Sequence, residues 1–293
     1  MIKVSVIIPA YNEAMGIRDT LVELEEFLNE DFEILVIEDG GEDNTYEIVD
    51  ELTKEYSNIR CIRHRRNKGY GSAIVTGCRH ANGNIIAWYD ADGQHRPEDL
   101  LAIISKMEKE DLDYCIGIRT KDSYQDKSRI IGKSILKRVV NFLAKEPMAD
   151  FNSGMRAFRK EVLIRYINLL PRRFGASTVT SFIMQEENYV GGGGPIHVRK
   201  RVGKSSVKQF RDGILTISLI FNIIILFRPK EIFGSLGILT ILLGAIYGIV
   251  CAVVDGLGVP VLSAIVIGLG IQILFLGILS SQISQLRLEY YDK

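Results

Sequence analysis

Read as a pattern of apolar and polar positions, the first half of the chain alternates short apolar runs with amphipathic stretches. Residues 4–8 (Val-Ser-Val-Ile-Ile), 32–37, 59–62, 85–89 and 114–118 are rich in β-branched and aromatic residues. They read as strands, and the first is too apolar for a half-exposed one and fits a central strand of a parallel sheet. The first is expected to end at Pro9. Between these runs, Leu21, Leu24, Phe27 and Leu28, then Ile48, Val49, Leu52 and Tyr56, then residues 72–80, and then Leu100, Ile103, Ile104 and Met107 read as helices. Asp43 or Asn44 is placed to cap the second of them and Pro97 to open the fourth. Strand alternating with helix predicts an α/β domain with a central, mostly parallel sheet.

The pattern then changes. Residues 128–144 are helical in spacing, with Arg129, Lys133, Lys137 and Arg138 interleaved among apolar positions, and 151–158 mixes polar and bulky residues in the manner of a loop lining a site. Four consecutive glycines, 191–194, predict a mobile connection, because glycine loses the most backbone freedom on ordering. A basic cluster over 198–211 follows, suited to anionic lipid headgroups or a lipid phosphate, or simply to fixing topology. Residues 214–227 are apolar but short for a span and predict an interfacial helix. Residues 232–254 and 261–280 are long and uncharged, joined by 255–258, and predict a transmembrane hairpin. Lysine and arginine flank its outer ends and not its turn, so both termini and the preceding domain are expected in the cytoplasm of a multi-pass protein at the cell membrane. Gly244 and Gly248 are spaced for close helix approach, either within one hairpin or between the chains of a homo-oligomer. The expected organisation is a domain over 1–211, an interfacial amphipathic region over 212–230 and the hairpin over 231–293.

Composition sharpens this division. The 293 residues are 47% hydrophobic with 36 basic against 36 acidic residues, enough core for one domain plus something smaller. Charge is dense up to Lys230 and almost vanishes until Arg287, so the zero net charge says little about partners. The four cysteines and four histidines show no metal-ligand spacing, which argues against zinc and for buried thiols in a reducing compartment. The chain opens at once on a strand-like run rather than a secretory leader.

Candidate chemistry centres on Asp90-Ala91-Asp92-Gly93-Gln94-His95, directly after the run at 85–89. Asp90 and Asp92 thus fall at the carboxyl end of a strand, the edge where open α/β sheets bind ligands. Two carboxylates and the Gln94 amide oxygen are hard donors suited to Mg or Mn, which would in turn hold a diphosphate. A calcium loop is excluded, since its sixth and twelfth positions are His95 and Leu101. Gly69 and Gly71 do not make a dinucleotide fingerprint, because no strand precedes them and the third glycine position is Ile74.

Several motifs in one order resemble glycosyltransferase family 2 with the GT-A nucleotide-diphospho-sugar transferase fold: Ser5-Val6-Ile7-Ile8-Pro9-Ala10-Tyr11-Asn12-Glu13, Glu38-Asp39-Gly40, Asn67-Lys68-Gly69 and the Asp90 to His95 run. Asn152-Ser153-Gly154-Met155-Arg156-Ala157-Phe158 and Arg199-Lys200-Arg201-Val202-Gly203-Lys204-Ser205-Ser206, followed by membrane helices, resemble its polyprenyl-phosphate branch, typified by dolichol-phosphate mannose synthases. The resemblance implies inverting transfer of a sugar from a UDP- or GDP-linked donor to a polyprenyl or dolichyl phosphate at the cytoplasmic membrane face. It implies that Pro9, Tyr11, Glu13, Asp39, Lys68, Asp90, Arg201 and Lys204 bind the nucleotide, and that Asp90, Asp92 and Gln94 hold Mg or Mn. Arg119, Arg129, Lys133 and Ser134 would meet the acceptor phosphate, with Asp92, Arg119 and Arg129 closest to the chemistry. Glu38 stands where an aspartate is usual, and the glycine run replaces an ordinary lead into the basic motif.

Two other readings compete. A processive glycan synthase of the same family resembles a longer chain with a Gln-x-x-Arg-Trp motif, whereas the sole tryptophan here, Trp88, lies in the strand before the aspartates. A membrane-anchored nucleotide-sugar-binding protein without catalysis would be favoured by loss of those acids, yet they are present. No feature points to nucleic acid.

Overall fold

Isoleucine, valine and leucine fill the first two strands so completely that nearly every position in them is buried. The computed structural model describes residues 2–124, 130–202, 209–254, 256 and 258–291. In chain order its elements are β1 (Val4–Ala10), α1 (Ile17–Phe27), β2 (Phe32–Glu38), α2 (Thr45–Glu55), β3 (Ile59–Arg63), α3 (Tyr70–His80), β4 (Ile85–Trp88) and α4 (Pro97–Lys109). Then come β5 (Tyr114–Arg119), α5 (Ile130–Leu143), β6 (Arg156–Arg159), α6 (Lys160–Arg165), α7 (Ala176–Glu186), β7 (Gly191–Ile196), α8 (Gln209–Phe227), α9 (Pro229–Val253) and α10 (Val261–Tyr291). The chain divides into two compact units, Met1–Ile220 and Phe221–Lys293.

The first unit is built on a seven-stranded sheet in the order β3-β2-β1-β4-β6-β5-β7. All pairs are parallel except those of β6, which runs antiparallel to β4 and β5. Val6, Ile8, Ile34 and Val36 meet Leu21 and Leu24 of α1 and Val49 and Leu52 of α2 in one buried cluster. On the other face α3 approaches β1 closely because Gly77 has no side chain: a Cβ there would stand 2.4 Å from Ile7 Cγ2. The parallel strands therefore end along one edge, and the loops after β1, β2 and β4 lie together there.

Three expectations change. Pro9 does not end β1, which continues to Ala10 with Pro9 opposite Ile37. Ile7 accepts a hydrogen bond from Tyr89 on the β4 side, so the N–H that Pro9 lacks falls on that side, beyond the last β4 partner, Trp88. Residues 156–158 are strand rather than loop, and Arg156 and Phe158 are fully buried in the sheet. Only 151–155 precede it as a loop.

The glycine run is also strand: Gly191 to Gly194 pair in register with Tyr114 to Gly117 of β5. Neighbouring side chains occupy the space that side chains on β7 would need. A Cβ at Gly191 would stand 2.1 Å from the Tyr114 ring, and one at Gly193 2.3 Å from Ile118 Cδ1. Tertiary packing thus overrides glycine's poor strand propensity. The outer edge of β7 is protected, since Pro195 offers no N–H and Lys106 Nζ donates to the Gly193 carbonyl at 2.8 Å.

In the second unit α9 and α10 are long and apolar enough to cross a membrane. α10 continues as helix well past residue 280, into polar sequence. Gly244 and Gly248 pack inside this hairpin, against Val266 and Ile267 and against Ser263, whose hydroxyl donates to the Gly244 carbonyl at 2.7 Å. Residues 214–227 lie within α8.

Replacing Gly191 by valine must displace the Tyr114 ring and is expected to cost about 1–3 kcal/mol, read as a lower denaturant midpoint with an unchanged slope. A second expectation concerns pH. Glu33, buried in β2, accepts from Ser5 Oγ at 2.5 Å, the Asn82 amide at 2.5 Å, Asn82 Nδ2 at 2.9 Å and Arg60 Nη1 at 2.8 Å. Burial opposes its charge, but these bonds outweigh burial and hold it below the ordinary carboxylate range. A depressed acid stabilises the fold above its unfolded pKa, and that stability is lost as pH falls through the folded value. Glu33→Gln should therefore flatten the acid limb of a stability-against-pH curve, and an unchanged limb would contradict the assignment.

Candidate active site

The loop after β4 carries Asp90 and Asp92, and three other segments close on it. Asp90 is partly open, its side chain 31% exposed; its Oδ2 lies 3.2 Å from His95 Nε2, and Tyr70 donates its hydroxyl to Oδ1 at 3.4 Å. Burial penalises its charge, yet His95 and Arg201 outweigh that and keep the carboxyl below its usual range. Asp92 is buried, and burial together with the Asp90 charge pushes it up. Glu13, from the loop after β1, is pushed up to about 7 by burial, with Asp92, Asp90 and Asp43 adding to the shift against Arg201.

Arg201 is the shared counter-charge, with Nη2 2.5 Å from Glu13 Oε1 and Nη1 3.4 Å from Asp92 Oδ2. Its Nε is buried without a partner among the described residues. It is delivered by residues 197–202, a strap bonded along the aspartate loop. Arg199 N donates to Gln94 O at 2.8 Å, Gln94 Nε2 to Arg199 O at 3.1 Å, and Val202 N to Asp92 O at 3.1 Å. Arg199 grips Glu23 of α1 through both terminal nitrogens, at 2.8 and 2.6 Å. Gln94 thus spends its amide nitrogen on the strap.

Asp39 ends β2 and is buried. It holds His64 Nδ1 at 2.6 Å and accepts from the Lys68 amide at 3.0 Å and the Gly69 amide at 2.6 Å, so it fixes the turn into α3. Lys68 is exposed beside it, Tyr11 is 41% exposed, and Pro9 is half-buried at the end of β1. Asn12 adopts the left-handed conformation, φ 56°, and its Oδ1 accepts from Glu42 N at 2.8 Å; Thr45 Oγ1 accepts from Glu13 N at 2.9 Å. The loops after β1 and β2 are thereby tied to each other.

Arg119, at the end of β5, is held in a two-pronged pair with Asp150: Nε to Oδ2 at 2.7 Å and Nη2 to Oδ1 at 2.6 Å. Burial opposes the Asp150 charge, but Arg119 outweighs it and the carboxyl lies below its usual range. Sequence reasoning missed Asp150, although an acid directly before the 151–158 motif was its signal. It also missed the structural part of Arg156, which is fully buried beneath Trp88. Arg156 donates to Ser153 O, Ser177 O, Thr180 Oγ1, Ser181 Oγ and Phe151 O, fixing the 150–154 loop against α7. Burial lowers it to about 10. That loop brings Gly154 against Asp90, where a Cβ would stand 2.1 Å from Oδ2.

The structure therefore brings Glu13, Asp90, Asp92 and Arg201 together. Ser134 is exposed on α5. Arg129 and Lys204 lie outside the described residues, as does the side chain of Lys133. As a cation site the cluster fits, because its donors are hard oxygens and Arg201 is paired to only two of its three carboxylates. Among the described residues, no three His, Cys, Asp or Glu side chains form a metal cage by themselves.

The chain is similar to known proteins in both of its units. Residues 228–286 match the GtrB C-terminal hairpin. A UDP-N-acetylglucosamine–dolichyl-phosphate N-acetylglucosaminyltransferase of Methanococcus voltae is 32% identical over 177 residues, covering 54% of this chain and 69% of that protein. Among solved structures, glucosyl-3-phosphoglycerate synthase from Mycobacterium tuberculosis with Mn2+, UDP-glucose and phosphoglyceric acid superposes with a TM-score of 0.61 at 15% identity, covering 75% of this chain and 79% of that one. Mannosyltransferase PcManGT from Pyrobaculum calidifontis with GDP-Man and Mn2+ gives 0.53 at 19% identity, covering 75% and 69%. These two establish the GT-A-like fold alone. Residues 5–167, more than half of the chain, match Glycosyl transferase family 2, and the chain belongs to that family of glycosyltransferases.

Proposed function

We propose that this enzyme moves a sugar from a nucleoside-diphosphate donor to a polyprenyl phosphate at a membrane surface, with inversion at the anomeric carbon. The observation that carries the reading is the gathering of Glu13, Asp90 and Asp92 at the carboxyl edge of the sheet, with Arg201 paired to Glu13 and Asp92. A lipid-phosphate acceptor is supported by the Methanococcus voltae relative and by the hairpin match. That relative also makes a UDP-linked donor the first to test, with GDP-linked donors second.

Asp90, Asp92 and the Gln94 oxygen would hold Mg or Mn, which supplies charge neutralisation for the departing diphosphate. Pro9, Tyr11, Asp39 and Lys68 would bind the nucleotide, together with Arg201 of the strap and with Lys204. Arg119, set in a fixed fork by Asp150, orients the acceptor phosphate together with Arg129, Lys133 and Ser134. A phosphate monoester has a second pKa near ~6, so the acceptor is already largely a dianion at neutral pH and needs no general base. Its oxygen attacks the anomeric carbon as the bond to the diphosphate breaks, and one displacement inverts the centre. The hairpin anchors the enzyme in the bilayer, with the catalytic unit and both ends on the cytoplasmic side.

The test is transfer of labelled sugar from UDP- and GDP-sugars to a polyprenyl phosphate in detergent, with Mg or Mn and with chelator. One lipid-linked monosaccharide, formed only with metal, is expected. Asp92→Asn should lower transfer by at least about a hundredfold and leave the folding midpoint unchanged or raised, since burial already disfavours the charged form of Asp92. Full activity in that variant would remove the metal assignment. Gly154→Ala should push Asp90 aside and raise the metal concentration for half-maximal rate by about tenfold or more, and an unchanged requirement would mean that Asp90 is not a ligand.

A further inference from the structure

Two stretches of this chain, residues 56–89 and 162–185, contain no acidic residue, although the whole molecule has zero net charge. The fold lays them on each other. Gly71 N donates to Arg173 O at 2.9 Å and Ser72 N to Arg172 O at 2.7 Å, so the start of α3 is capped by carbonyls from the second stretch. Arg79 Nη2 adds a bond to Asn168 Oδ1 at 2.7 Å. The approach is close enough that a Cβ on Gly71 would stand 1.8 Å from Pro171 O.

Arg65 and Arg66 on one stretch and Arg172 and Arg173 on the other are therefore exposed on neighbouring segments. None of these four side chains makes an ion pair or hydrogen bond among the described residues. Folding has gathered guanidiniums without their counter-charges, an arrangement that repels itself unless an anion is brought to it. Directly after Arg173 the chain meets the middle of α8: Gly175, with φ +94°, leaves room for Leu219, whose Cδ1 would be 2.7 Å from a Cβ there. The turn of α8 before Leu219 exposes Ile214, Leu215 and Ile217. Unpaired arginines beside exposed aliphatic side chains suit the boundary between phosphate headgroups and acyl chains. Only residues 221–228 separate this unit from α9.

We propose that Arg65, Arg66, Arg172 and Arg173, with Ile214, Leu215 and Ile217, form a face that docks the catalytic unit on an anionic phospholipid surface. This face shares no residue with the strap over 197–202 that carries Arg201. The proposal rests on the reading that the hairpin is embedded in a bilayer.

The experiment is hydrogen exchange on the full chain in nanodiscs of phosphatidylcholine, with and without phosphatidylglycerol. With the anionic lipid, exchange over 64–73 and 171–177 is expected to slow by about fivefold or more, the partition gained per arginine at such a surface. The protection should vanish at high salt and in Arg172→Ser/Arg173→Ser, while that variant keeps its sugar transfer in detergent. Equal exchange in both nanodiscs, from a chain that co-elutes with them, overturns the docking face and leaves the anchor intact. A chain that does not co-elute overturns both. Protection that appears only when polyprenyl phosphate is added to the neutral nanodisc, or loss of transfer in detergent by the variant, assigns these arginines to the acceptor instead and also overturns the proposal.

Discussion

Three carboxylates facing one guanidinium is the constraint on which the rest of this enzyme depends. Carboxylates crowded in a buried site cannot all ionise cheaply, and here the charge is unevenly shared. Asp90 keeps it, assisted by His95, while Asp92 and Glu13 are pushed upward. The strap over 197–202 makes sense in this light. Its bonds to Gln94, Asp92 and Glu23 belong to backbone and flanking residues, and their effect is to hold Arg201 between Glu13 and Asp92. Taking Arg201 from such a set leaves the carboxylates without their counter-charge, whereas neutralising one of the acids that burial already pushes up relieves their repulsion.

The surrounding frame is organised by groups that are not themselves acids of the site. Among the described residues no carboxylate bonds Arg156; it is satisfied by carbonyls and hydroxyls from the 151–153 loop and α7. Burial lowers it only to about 10, so it remains a cation at neutral pH and adds a positive field behind Asp90 and Asp150. The same loop that Arg156 fixes carries Gly154 against Asp90 and Asp150 against Arg119. One buried guanidinium therefore holds the loop that reaches both Asp90 and Arg119.

The parallel sheet was legible because β1, β2 and β4 are buried on both faces and so read as continuous apolar runs, and the hairpin because two uncharged helices stand out against a charged chain. The position of Asp90 and Asp92 at a strand's carboxyl end followed from the same runs. Residues whose place depends on contacts distant in sequence were not legible. The glycines at 191–194 look like a linker until Tyr114 and Ile118 are seen to fill the space beside them. Asp150 is an ordinary acid until β5 delivers Arg119 to it, 31 residues away in sequence. Pro9 appears to end a strand unless one knows that β4 stops first.

The hairpin is held by a different physics from the catalytic unit. Between helices surrounded by lipid, apolar burial gives no net drive, so contact must come from close packing and hydrogen bonds. Gly237 and Gly270 oppose each other, and a Cβ on either would stand within 2.9 Å of the other's carbonyl oxygen. Gly248 makes room for Ser263, and the serine hydroxyl reaches the Gly244 carbonyl. With Gly237, Gly244, Gly248 and Gly270 committed to the seam, Leu239, Leu243, Ile246, Leu262, Ile265 and Phe275 point outward and are exposed. These four glycines serve helix contact, and the large apolar side chains serve the surrounding lipid.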